Sequence, residues 1–185
     1  SHCFMEVSSI GADQHRIDGL EFRAGIFTNL THDHLDYHGT FAAYLRCKQR
    51  FFDMLPAKAF AITNADDRNG RIMVQNTRAQ VLTYSCRSLA DHSCKTVEQS
   101  FEGMLLNIDG SEVWTMLTGA HNAYNLLAIY STALALGTPK DEALLALSKL
   151  RPVRGRLETI PGPGGVNVVI DYAHTPDALE KVLRT

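Results

Sequence analysis

The chain has 185 residues, close to half of them apolar, with 18 basic and 20 acidic side chains and a formal net charge of −2. That length and apolar share suit one large domain or a domain plus part of another around a packed core. A near-neutral balance supplies no basic stripe of the kind that holds nucleic acid, so no nucleic-acid partner is expected. Apolar runs are interrupted well before the roughly 20 residues a membrane-spanning helix needs, so no membrane partner is expected and a cytoplasmic location is. Four cysteines, Cys3, Cys47, Cys86 and Cys94, have no C-x-x-C spacing, which favours reduced thiols over a disulfide frame or zinc knuckle.

In chain order, apolar runs suited to buried strands fall at Cys3 to Val7, Gly25 to Leu30 and Ala59 to Thr63, with a helix from near Thr40 to Leu55 between the last two. Strands alternating with helices predict an α/β fold, a mostly parallel sheet flanked by helices. A short helix is expected around Arg68 to Gln75 and a further strand at Val81 to Tyr84. The texture then changes: Thr96 to Phe101, Met104 to Ile108 and Val113 to Leu117, separated by Glu102-Gly103 and Asp109-Gly110, predict a small antiparallel annex. Helices are expected at Asn122 to Leu136 and Lys140 to Leu150. After a boundary near Gly155 comes a hairpin, Leu157 to Ile160 with Val166 to Ile170. Both ends fall inside patterned elements, so the sequence is expected to be part of something longer.

The chemistry concentrates at expected strand ends. Thr28 to Gly39 carries His32, His34 and His38 with Asp33 and Asp36. Glu6 is an acid inside an apolar run followed by Ser8 and Ser9; it reads either as a solvent-facing edge carboxylate or as a metal ligand. The edge of a parallel sheet at its strands' C-termini is where ligands bind, and a mixed oxygen and nitrogen donor set there favours magnesium or manganese over structural zinc. Lys48 falls on the stripe Phe41, Tyr44, Leu45, Phe51, Phe52 and Leu55. Its ammonium either snorkels outward or sits near charge with a shifted pKa, and a desolvated amine of that kind can capture carbon dioxide as a carbamate. Asn122 and Asn125 stand three apart at the start of a helix, suited to capping it or to reading the edge of a base. Arg156 and Asp171 mark the hairpin that follows.

Four separated segments then carry a resemblance: Met5-Glu6-Val7-Ser8-Ser9, Asp13-Gln14-His15-Arg16, Phe27 through Gly39, and Asp171-Tyr172-Ala173-His174-Thr175-Pro176-Asp177-Ala178-Leu179. In this order they resemble the ATP-dependent Mur ligases of bacterial cell-wall synthesis, and most nearly the branch that adds the third amino acid. The resemblance implies a P-loop NTPase-like central, ATP-binding domain over residues 1–155, lacking its phosphate-loop portion because no Gly-x-x-x-x-Gly-Lys occurs. Residues 156–185 would begin a Rossmann-like C-terminal domain. It implies a ligase that adds meso-diaminopimelate or L-lysine to UDP-N-acetylmuramoyl-L-alanyl-D-glutamate through an acyl-phosphate, with ATP as co-substrate and Mg2+ as cofactor, acting as a monomer. The fragment alone should be inactive. By the same resemblance Glu6 and His34 would bind magnesium, Lys48 would be a carbamylated metal ligand, and His34 and Lys48 would serve catalysis. Ser8, Gln14 and Arg16 would contact the UDP-muramoyl dipeptide, and Asn122, Asn125, Arg156 and Asp171 the ATP. His32 and His38 become supports. Two other classes stay open at this point, a metal-dependent hydrolase built on the His/Asp cluster and a non-catalytic binding scaffold.

Overall fold

The computed structural model describes residues 1–30, 35–174 and 176–183. The chain divides into two compact units, Ser1–Tyr84 and Ser85–Thr185. Among the described residues no helix is long and apolar enough to cross a membrane.

The first unit is the parallel one. Strands β1 (Ala24–Phe27), β2 (Phe60–Asn64) and β3 (Gln80–Ser85) pair in parallel, with Ile26 opposite Ile62 and Ile62 opposite Leu82. As the middle strand, β2 buries Ala61, Ile62, Thr63 and Asn64 in succession. A strand covered on both faces has no solvent side to alternate with, so its sequence reads as a continuous run. Helix α1 (Ser9–Asp13), the short α2 (Leu35–His38), α3 (Phe41–Asp53) and α4 (Gly70–Met73) complete the unit. α3 starts where Thr40, in extended conformation, accepts a hydrogen bond from the Ala43 amide at 3.2 Å, satisfying one of the first-turn donors. It lays Tyr44, Phe51 and Phe52 on the core with Leu55, Ala59 and Met73. Burying each such large apolar side chain stabilises the fold by about 1.5–3 kcal/mol. Tyr84 is fully buried, and its hydroxyl donates to the Phe27 carbonyl at 3.0 Å, tying β3 to the end of β1. Gly70 lets α4 approach β2: a Cβ there would lie 2.0 Å from the Asn64 carbonyl oxygen.

One expectation fails here. Cys3 to Val7 is not a strand; residues 1–8 belong to no regular element, and Phe4 and Met5 are exposed. An apolar run becomes a strand only beside a neighbour whose ladder accepts it, and among the described residues β1 pairs with β2 alone. Glu6 therefore sits in an exposed segment leading into α1 rather than at a strand end.

The second unit opens with the antiparallel meander β4 (His92–Ser100), β5 (Gly103–Ile108) and β6 (Ser111–Thr115). Asp109 and Gly110 both take positive φ, 47° and 80°, as a two-residue turn of the primed type requires. Along β5, Met104, Leu106 and Ile108 are fully buried, the every-second-residue pattern of one sheet face. Helices α5 (Ala120–Ala135) and α6 (Lys140–Ser148) pack against β4 and β6 respectively, with Ala123, Leu126, Leu127 and Tyr130 on the buried stripe of α5. Gly119, at φ 92°, makes the turn into α5 that a side chain would resist. The hairpin of β7 (Glu158–Pro161) and β8 (Asn167–Ile170) turns through Pro163–Gly165 and leads to α7 (Pro176–Leu183). The expected boundary near Gly155 lies inside this unit.

Candidate functional site

The first unit gathers polar side chains around α1. Ser8 is its N-cap, accepting from the Gly11 amide at 3.0 Å, and Glu6 stands exposed two residues earlier. After α1 the backbone turns through His15 at φ 58°, a conformation uncommon for a side chain other than glycine. Ala12 and Ile17, on either side of the turn, are buried. Gln14 and Arg16 emerge from it exposed, and the Arg16 guanidinium donates to Gln14 Oε1 at 2.6 Å. The other end of the Gln14 amide donates to the Tyr37 hydroxyl at 3.3 Å, and that hydroxyl donates to Asp13 Oδ2 at 3.1 Å. Asp13 Oδ1 also accepts from the Cys47 thiol at 3.4 Å and lies 3.7 Å from the Arg50 guanidinium. The Tyr37 hydrogen bond, then that of Cys47, hold the Asp13 carboxyl below the usual range for an aspartate. Burial above all, with the facing Asp13, pushes the Cys47 thiol up.

Lys48 is half-buried, its Nζ 5.5 Å from the centre of the Tyr44 ring. Tyr44 in turn stacks on His38 at 5.4 Å, and His38 Nε2 lies 2.9 Å from the Oγ of the fully buried Ser9. A line of contacts thus runs from Lys48 to the first residue of α1. His38 is engaged on both sides, as a support would be. His32, Asp33 and His34 lie outside the described residues.

In the second unit, Asn122 Nδ2 donates to the Thr118 carbonyl at 2.7 Å, and Asn125 Nδ2 reaches Asn122 Oδ1 at 3.4 Å. The two amides share one face at the start of α5. Asp171 accepts two backbone amides, Leu157 at 2.8 Å and Ala173 at 2.7 Å. Leu157 needs that hold, since it sits at φ 47°. The Arg156 guanidinium lies 5.3 Å over the Tyr172 ring, so the hairpin ends bring Arg156 and Asp171 into one turn. Sequence reasoning gave no role to a further cluster: His92 Nδ1 lies 2.7 Å from Asp109 Oδ2, and Lys140 Nζ donates to the Asp109 carbonyl at 2.8 Å. These partners are 17 and 31 positions apart, a separation that leaves no periodic trace. Tyr37 and Asp13 stood in quoted motifs but without a role, for the same reason.

Among the described residues no three His, Cys, Asp or Glu side chains converge as a metal cage. The exposed Glu6 carboxylate suits magnesium, which typically takes one or two carboxylates and completes its shell with water and substrate phosphate oxygens. Lys48 offers a lone pair only once its ammonium is discharged or carbamylated.

A parallel sheet flanked by helices defines an α/β fold, and comparison with known proteins narrows it. Residues 1–133 match the family described as Mur ligase middle domain, and the chain belongs to that family. Curated relatives include the UDP-N-acetylmuramoyl-L-alanyl-D-glutamate--2,6-diaminopimelate ligases of Parabacteroides distasonis, 57% identical over 98% of this chain and 37% of the relative, and of Cytophaga hutchinsonii, 51% identical over 100% and 38%. The chain therefore spans a little over a third of their length. A solved structure of a ligase with the same name superposes with a TM-score of 0.81 at 32% identity, over 97% of this chain and 38% of that one. The MurF ligase of Thermotoga maritima in complex with ADP has a TM-score of 0.77 at 20% identity over 96% and 42%, a likeness of fold.

Proposed function

We propose that the whole protein is an ATP-dependent ligase that joins 2,6-diaminopimelate to UDP-N-acetylmuramoyl-L-alanyl-D-glutamate in peptidoglycan synthesis, as a cytoplasmic monomer. The observation that carries this reading is the 57% identity, over nearly the whole chain, to a ligase named for that reaction. In the reaction the γ-phosphoryl of ATP passes to a carboxylate of the D-glutamate, giving an acyl-phosphate and ADP. The amine of the diamino acid then attacks the acyl carbon, forming the amide as phosphate leaves. Such transfer asks the protein chiefly to position reactants and screen charge.

In this reading Ser8, Gln14 and Arg16 bind the UDP-linked dipeptide; the exposed guanidinium of Arg16 suits its anionic groups. Asn122 and Asn125 lie near the nucleotide, and Arg156 and Asp171 reach ATP from a C-terminal domain that begins at residue 156. Glu6 and His34 hold magnesium, and Lys48, as its carbamate, helps hold a second ion. Bound magnesium supplies neutralising charge to the phosphates.

The test is a coupled assay on the whole protein with ATP, magnesium, the UDP-linked dipeptide and either meso-diaminopimelate or L-lysine. Diaminopimelate-dependent ADP release with a matching product mass is expected, and L-lysine should be a poor substrate. No ADP release with either amino acid would remove the reading; preference for L-lysine would overturn its substrate.

A further inference from the structure

We propose that Tyr37 is a positioning residue for the pocket of the UDP-linked dipeptide: its phenol, held by Asp13, orients the Gln14 amide so that Gln14 presents the Arg16 guanidinium to substrate in one pose. The inference deepens the reading above and rests on its placing of Gln14 and Arg16 at that substrate.

Donors and acceptors fix each group of the chain in turn. An ionised carboxylate only accepts, and Asp13 is kept ionised by the hydrogen bonds it receives. The single hydroxyl hydrogen of Tyr37 is therefore spent on Asp13 Oδ2 at 3.1 Å. Toward Gln14 the phenolic oxygen can then only accept, which sets the NH2 end of the amide against Tyr37 at 3.3 Å. The carbonyl end must face the other way, and Arg16, which only donates, meets it at 2.6 Å. Each polarity follows from the one before. The backbone beneath is already fixed, with the Arg16 amide bonded to the Gly11 carbonyl at 2.9 Å and Ile17 buried. What remains free is the pair of long exposed side chains, which lose rotamer freedom when they engage a ligand. A preset pose reduces that loss and favours binding without touching the chemical step.

The experiment measures initial rates of the whole protein against the UDP-linked dipeptide at saturating ATP and diaminopimelate. Four forms are compared: unmodified, Tyr37→Phe, Arg16→Ala and the double variant. Tyr37→Phe should raise the KM for the dipeptide about three- to tenfold, the worth of one hydrogen bond. Its kcat, its KM for ATP and its melting temperature should stay close to those of the unmodified protein. In the Arg16→Ala background the same change should have a clearly smaller effect, because only the Gln14 amide is left to be positioned. Asp13→Asn, which lets the phenol turn its hydrogen toward Gln14, should raise the same KM and no other constant. An unchanged dipeptide KM in Tyr37→Phe beside a raised one in Arg16→Ala would overturn this inference and leave the substrate reading standing. A loss of kcat, both KM values and melting temperature together would mark Tyr37 as merely structural and equally overturn it. An unchanged KM in Arg16→Ala would remove the substrate reading of Arg16 and this inference with it.

Discussion

Gln14 in the first unit is tied through its side chain to Tyr37, 23 positions away, and Tyr37 to Asp13, 24 away, whereas Asn122 and Asp171 in the second are fastened to backbone atoms of nearby turns. The first arrangement is a network in which one side chain sets the next. The second is a set of anchors held chiefly by main-chain groups, with one side-chain bond between neighbours, Asn125 to Asn122. A change in the network should therefore be felt at its neighbours, and a change at an anchor should stay local.

The largest effect that probes this contrast is expected at Lys48, where contacts run through Tyr44 and His38 to Ser9. In the whole protein, Lys48→Ala should lower kcat by about two to three orders of magnitude, with partial recovery on adding a short-chain carboxylic acid; normal turnover would end the carbamate role. Next comes Asp171→Ala, which strands the amides of Leu157 and Ala173. We expect about a tenfold rise in the KM for ATP with the dipeptide KM unmoved. Should both constants rise together, the anchors are not local and the contrast breaks.

A smaller effect is expected at the thiols, read by mass spectrometry after timed alkylation. Cys47, whose pKa is raised by burial and then by Asp13, should react several-fold more slowly at pH 8 than the exposed Cys3. Asp13→Asn should quicken Cys47, and an unchanged rate would remove Asp13 from the centre of the network. The smallest effect belongs to Tyr130, whose hydroxyl is buried beside Asp109. Burial first, then the nearby Asp109, raises its pKa from 10.0 to about 12. A folded-state pKa raised in this way contributes stability that is whole below the unfolded value of 10.0 and lost as the pH climbs through about 12. Tyr130→Phe should change stability at neutral pH by less than about 1 kcal/mol and flatten the alkaline limb of a melting-temperature profile.

The parallel strands were legible because β2 is buried on both faces and opens on the apolar run Phe60 to Ile62, displaced by one residue from the expected Ala59 to Thr63. The meander was legible from Asp109-Gly110, whose positive φ values are those the dipeptide favours. The start of α3 was legible from Thr40. Cys3 to Val7 misled because apolar content records a wish to be buried and says nothing of a pairing partner. Of the site, the residue names were readable as motifs, but the bonds joining Asp13, Tyr37 and Cys47 were not. Side chains 24 and 34 positions apart meet only through the packing of α1 and α2 on α3, and no local period encodes that.

Gly70 sits where the turn after β2 holds the end of β1. Asn64, whose carbonyl oxygen leaves no room for a Cβ there, also donates through Nδ2 to the Thr28 carbonyl at 2.8 Å, and Asp67 from the same turn accepts the Leu30 amide at 3.0 Å. Every missense change in a glycine codon brings a Cβ. At the level of the gene, every missense change in codon 70 therefore presses a Cβ against the Asn64 carbonyl, and drift at this position is visible to selection through the turn that anchors the segment leaving β1.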